Sequence, residues 1–106
     1  MAFLRALAKR NAVEYITLET SDDSAKSGNF NNFKKDTISD IIIQNLTSYG
    51  CYFKFGIEPV TADDGCLYIP GNSDLSLDNV AFTYFSVLRE TTNNVKLRIT
   101  GIGLSS

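Results

Sequence analysis

Few residues in this chain are equipped for chemistry. There is no histidine among its 106 residues, which removes the commonest general base, the usual triad partner and the commonest metal ligand together. Cys51 and Cys66 are the only thiols, and neither has a neighbouring cation that would clearly lower its pKa, so an activated thiolate is not expected. Two cysteines without histidine make no standard zinc site, and they are too few for a disulfide framework. A bridge across the loop between them is geometrically possible. Burial as free thiols, packed as small hydrophobes, is the expectation.

The carboxylates point the same way. Asp63-Asp64-Gly65 suggests a calcium loop only superficially, because the spaced ligands and closing bidentate Glu of an EF-hand are missing. Turn chemistry explains it, with Asp capping and Gly supplying positive φ. Glu14, Glu19 and Asp40 offer material for a glycosidase pair, but nothing fixes two of them together. Gly101 to Gly103 lacks the Lys-Ser/Thr and the helix of a phosphate loop. No catalytic residue, metal or cofactor is therefore expected. Sugar stacking would draw on Tyr49, Tyr52, Tyr68 and Tyr84, for which core or interface packing is the first expectation.

The elements that would position these residues are mostly strands. Val13 to Glu19 alternates with period two. Ser21 to Lys35 is polar, contains Gly28 and reads as a long loop, with Phe30 and Phe33 as its large apolar residues. Ile38 to Leu46 is too short and too β-branched for a typical helix and reads as a strand buried on both faces. Cys51 to Phe55 alternates Cys51, Phe53 and Phe55 against Tyr52 and Lys54. Cys66 to Ile69, Asp74 to Leu77, Phe82 to Leu88 and Val95 to Ile102 follow, separated by Pro70-Gly71-Asn72 and Asn93-Asn94 turns. Only Ala2 to Asn11 has helical spacing, with Phe3, Leu4, Leu7 and Ala8 on one side and Arg5 and Lys9 outside it. Seven or so short strands predict an all-β, single-domain β-sandwich of jelly-roll type, spanning residues 13–106 behind a basic amphipathic arm, helical or extended, at 1–12.

Net charge is −2, from 10 basic and 12 acidic residues, a balance that argues against nucleic acid as the main partner. Charge is unevenly placed. Arg5, Lys9 and Arg10 crowd the start with no acid among the first ten residues, whereas Glu58 to Asp78 contains acids and no base. Such opposed regions can steer docking or self-association. No run approaches the ~20 apolar residues of a spanning helix, and Met1 to Ala12 lacks the apolar core of a signal peptide. Neither a membrane partner nor export is expected, and the cytoplasm is the expected place of synthesis and assembly.

One longer pattern runs from Ile38 to Gly101. It takes in Ile41-Ile42-Ile43-Gln44-Asn45-Leu46, Cys51-Tyr52-Phe53-Lys54-Phe55-Gly56, Val60-Thr61 with Asp63-Asp64-Gly65, and Leu67-Tyr68-Ile69-Pro70-Gly71-Asn72-Ser73. Leu75-Ser76-Leu77 and Val95-Lys96-Leu97-Arg98-Ile99 complete it. This pattern resembles small β-sandwich virion proteins of tailed bacteriophages, among them capsid cement (decoration) proteins. The resemblance implies a structural role on the particle surface, the major capsid protein or another virion protein as partner, and a closed assembly, with a homotrimer as the expectation. It transfers no catalytic residue.

Candidate contacts are Phe3, Leu4, Arg5, Leu7, Lys9 and Arg10 of the arm, followed by Phe30 and Phe33. A tail, neck or fibre-base component and a carbohydrate-binding or adhesion module are the alternative roles; an enzyme is not expected.

Overall fold

The computed structural model describes residues 10–30, 38–78, 82 and 84–104; at 10–13, 38–39 and 103–104 it describes the backbone alone. Eight strands run through these residues: β1 (Arg10–Glu19), β2 (Lys26–Asn29), β3 (Ile38–Asn45), β4 (Cys51–Gly56), β5 (Leu67–Ile69), β6 (Asp74–Asp78), β7 (Tyr84–Arg89) and β8 (Lys96–Leu104). They form two four-stranded sheets, ordered β1-β8-β3-β6 and β2-β7-β4-β5, and every pairing is antiparallel. This is a jelly roll, as the spacing of strands and turns predicts.

Period-two burial explains why the sheets face each other. Ile41 and Ile43 of β3, Leu97 and Ile99 of β8, Phe53 of β4, and Phe85 and Val87 of β7 are fully buried. They come from the two central strands of each sheet. Phe30 and Phe82 close the core from the flanks, and the Phe30 and Phe85 rings meet edge to face at 5.2 Å. Each such side chain contributes about 1.5–3 kcal/mol when removed from water.

Three local expectations are corrected. Ile38 to Leu46 is not buried on both faces: Ile41 and Ile43 are buried while the alternate residues Ile42 and Gln44 are half-buried, because among the described residues no further layer covers that sheet's outside. Lys26–Asn29, read as part of a long loop, is an edge strand pairing β7. β1 starts at Arg10, opposite Leu104, so the last residues of the helix-like stretch are extended.

β1→β2, β3→β4, β5→β6 and β7→β8 all change sheets at one end of the sandwich, and buried polar groups pin that end. Asn45 is 4% exposed. Its Nδ2 donates to the carbonyls of Tyr49 (2.8 Å) and Pro70 (3.1 Å), while its Oδ1 accepts from the N–H (3.0 Å) and hydroxyl (2.8 Å) of Thr47. One amide thus joins the β3–β4 and β5–β6 connections. Asn72 adds a 2.7 Å bond from its N–H to the Thr47 carbonyl and sits at φ 55°, a conformation Asn tolerates. A Cβ on Gly71 would collide with the backbone of Ser48 and Tyr49, so that turn requires glycine.

A second knot joins the other two crossings. Arg89 donates to Asp23 (2.8 and 3.0 Å), to Asn94 Oδ1 (2.7 Å) and to the Thr92 carbonyl (3.1 Å). Thr20, also buried, exchanges bonds with Val95 through its N–H (2.9 Å) and hydroxyl (2.8 Å).

Asn45→Ala is expected to cost about 1–3 kcal/mol, since it strands two part-buried carbonyls and the Thr47 donors. Urea unfolding should show a lower midpoint at unchanged slope. A midpoint equal to the parent's would show that the amide holds nothing together.

Candidate interaction surfaces

The reactive groups are placed for structure. Cys51 and Cys66 are free thiols. Cys51 is fully buried beside Phe53, and burial, with a smaller contribution from the Glu90 charge, pushes its thiol up to about 12. Cys66 is half-buried, and its Sγ lies 3.2 Å from Asp63 Oδ1. That same oxygen accepts the Gly65 N–H at 2.9 Å, which holds the Asp63 carboxyl below the usual range. The Asp63 cap is the one expected from Asp-Asp-Gly, but Gly65 does not take the positive φ expected of it. No group of three or more His, Cys, Asp or Glu able to hold a metal occurs among the described residues. A shallow cleft of about 150 Å³ lies against Ser27, Asn29, Pro59 and Tyr84.

Apart from Tyr15 of β1, whose exposed ring carries the Arg98 guanidinium at 4.4 Å, the large apolar side chains that reach solvent among the described residues do so in two places. The first is the pinned end, where Leu46, Tyr49 and Tyr68 are each about half exposed. Leu46 and Tyr49 share the short β3–β4 connection, whose Tyr49 carbonyl is held by Asn45. The Tyr68 hydroxyl donates to Glu90 at 3.0 Å, a bond that raises its pKa. Its ring lies 5.6 Å from that of Tyr52, its partner across β4 and β5.

The second is one side of the sandwich. Along the side formed by β1 and β2 the sheets close: Gly28 sits so near Leu18 that a Cβ there would lie 3.0 Å from Leu18 Cδ2. The opposite side is formed by β5, with three residues, and β6, with five. β5 pairs only Cys51 to Phe53, so Phe55 extends past its cover. Phe55 rests on Phe82, with ring centroids 4.6 Å apart, yet stays partly exposed, and Leu67 (42%) and Ile57 (77%) are more so. Leu75 and Leu77 of β6 complete this open seam from the other sheet, half-buried against the core. Asp74 and Asp78, exposed at the two ends of β6, alternate with these leucines and lie on its outward side.

Phe3, Leu4, Arg5, Leu7, Lys9 and Phe33 lie outside the described residues. Arg10 belongs to β1, and its side chain is not described. Phe30 is corrected: at 2% exposure it packs on Phe85 and is part of the core, so it offers nothing to a partner. The sequence reading missed Ile57, Leu67 and Leu46 as surface groups because each adjoins a strand whose other apolar residues are buried. The shortness of Cys66 to Ile69 was the available signal, since four residues cannot cover a longer neighbour.

No family model matches the chain, and no curated protein does. Solved structures do resemble it. A de novo designed double-stranded β-helix gives a TM-score of 0.52 at 8% identity, covering 84% of this chain and 99% of that one. A chain of the Bacillus endospore appendages, described as disulfide-linked pili, gives 0.51 at 10% identity, covering 88% and 87%. The tobacco streak virus coat protein gives 0.45 at 12% identity, covering 92% and 88%. What is shared is the fold.

Ellman's reagent at pH 8 is expected to find Cys66 in the native chain and Cys51 only after unfolding. Because the folded thiol titrates above its unfolded value, stability should fall as pH rises above about 9, where the unfolded chain loses the Cys51 proton first. Two rapidly reacting thiols in the native chain would contradict the burial of Cys51.

Proposed function

We propose that this protein is a non-enzymatic structural component of a phage particle, a capsid cement protein that binds the major capsid protein on the virion surface after assembly in the host cytoplasm. The supporting observation is the pinned end: Leu46 and Tyr49 project from a connection held by Asn45, and Tyr68 of β5 is held through its hydroxyl by Glu90. Preorganised side chains lose little freedom on docking, and aromatic groups held this way are efficient contact points. The Ile38 to Gly101 pattern shared with small virion proteins supports the same reading, as does a chain whose polar groups are occupied in holding loops. An interface of about 800 Å² per partner is enough for specific binding.

Co-sedimentation with assembled shells tests this. Leu46→Asp combined with Tyr49→Ala should weaken shell binding at least about tenfold, the effect expected from losing two central contacts, with the unfolding midpoint nearly unchanged. Undiminished binding by the folded double variant would refute the assignment of this face. A second reading comes from the same aromatics: Tyr49, Tyr52 and Tyr68 beside Glu90 offer rings and a carboxylate of the kind a saccharide uses. A glycan array tests it, and binding abolished by Tyr49→Ala would move the function to carbohydrate recognition.

A further inference from the structure

We propose that the open edge of β6 takes a further strand, an extended segment of a partner protein in which basic and apolar residues alternate. This goes beyond the shell-binding reading and does not depend on it, because it uses a different surface. β6 pairs with β3 alone, so among the described residues its other edge is open. The ladder shows which groups face that edge. The Asn45 N–H donates to the Ser73 carbonyl at 2.9 Å, and the register then sets Ile43 opposite Leu75 and Ile41 opposite Leu77. Antiparallel ladders alternate, so residues 73, 75 and 77 bond β3, while the N–H and C=O groups of Asp74, Ser76 and Asp78 point away from it. Outward donors and acceptors at every second residue are the template for strand addition.

The two faces of β6 define the side chains such a strand must carry. Asp74, Ser76 and Asp78 are exposed on the outward face, and Leu75 and Leu77 are half-buried on the inward one. In the other sheet, Leu67 of β5 pairs with the buried Phe53 and points the same way, yet is 42% exposed. A strand added beside β6 covers this gap with every second side chain, and those must be apolar. Its remaining side chains stand beside Asp74 and Asp78. Neither aspartate takes part in the ion pairs of the described residues, and unlike charges opposite each other stabilise a strand pair. Basic residues are selected there. The same rule excludes β6 of a second copy, because antiparallel pairing about Ser76 sets aspartate against aspartate at both ends. β8 already shows the required pattern within this sheet: Lys96 and Arg98 are exposed and alternate with buried Val95, Leu97 and Ile99.

Amide NMR of the isotope-labelled full chain, titrated with capped synthetic peptides, tests this. The peptide Lys-Val-Lys-Val-Lys, taken to about 5 mM so that millimolar association is visible, should shift the amides of Asp74, Ser76 and Asp78 and slow their exchange. Those of β1 and β2 should not move. Glu-Val-Glu-Val-Glu should bind about tenfold more weakly, since two cross-strand charge pairs change sign. Val-Val-Lys-Lys-Lys has the same composition without the alternation and should give no protection. Methylating the backbone nitrogen of the central lysine removes the donor to the Ser76 carbonyl and should abolish binding while leaving the charge intact. Asp74→Lys with Asp78→Lys should reverse the preference between the lysine and glutamate peptides, with spectral dispersion reporting that the variant is folded. The methylated peptide is compared on the parent chain, so that arm stands whatever the variant does. No response at β6 to the lysine peptide would overturn the proposal. So would equal binding of the unalternated or methylated peptide, or an unchanged preference in the folded variant.

Discussion

A jelly roll of this size depends on making its crossings between sheets at one end without leaving backbone groups dry and unpaired. Here four crossings meet at the same end, and two of them share the side-chain amide of Asn45. Buried polar groups that are fully satisfied specify a unique arrangement, and half-satisfied ones are costly. Asn45 uses both donors and both lone pairs, and Arg89 and Thr20 do comparable work for the other two crossings. With the connections fixed, β3 and β8 face β4 and β7 in a single register. The core of Ile41, Ile43, Phe53, Phe85, Leu97 and Ile99 follows from that register.

The opposite arrangement prevails along the sides. Gly28 lets one side close on Leu18, whereas three residues of β5 leave Phe55 and Leu67 without a lid. Short edge strands and edge charges limit uncontrolled strand pairing, and β5 and β6 have one of these features each. The molecule therefore has a rigid end with projecting aromatics and an apolar side, and the thiol of Cys51 is sealed inside.

Much of the architecture was legible because it rests on period two. The alternation in Val13 to Glu19 marks a strand, those in Cys51 to Phe55 and Val95 to Ile99 also put the right residues inward, and Pro70-Gly71-Asn72 marks its turn through a glycine that nothing larger can replace. Lys26-Ser27-Gly28-Asn29 was illegible because its strand character comes from pairing with β7, not from propensity. Ile42 misled because an unbroken apolar run implies two covered faces, while β3 has one. The surface was harder still. Phe30 looks in sequence like an exposed phenylalanine in a polar loop, and only the packing on Phe85 reveals a core residue. Exposure at Leu67 depends on which strand ends first, for which the shortness of Cys66 to Ile69 is the sequence signal.

Residue-resolved hydrogen exchange on the dilute chain tests this account most directly. The account predicts the slowest amides in β3, β8, β4 and β7, intermediate protection at the Asn45 and Thr20 crossings, and fast exchange along the outer edges of β5 and β6. Strong protection along β5 and β6 in the dilute chain, or rapid exchange at Ile41, Ile43, Leu97 and Ile99, would contradict it.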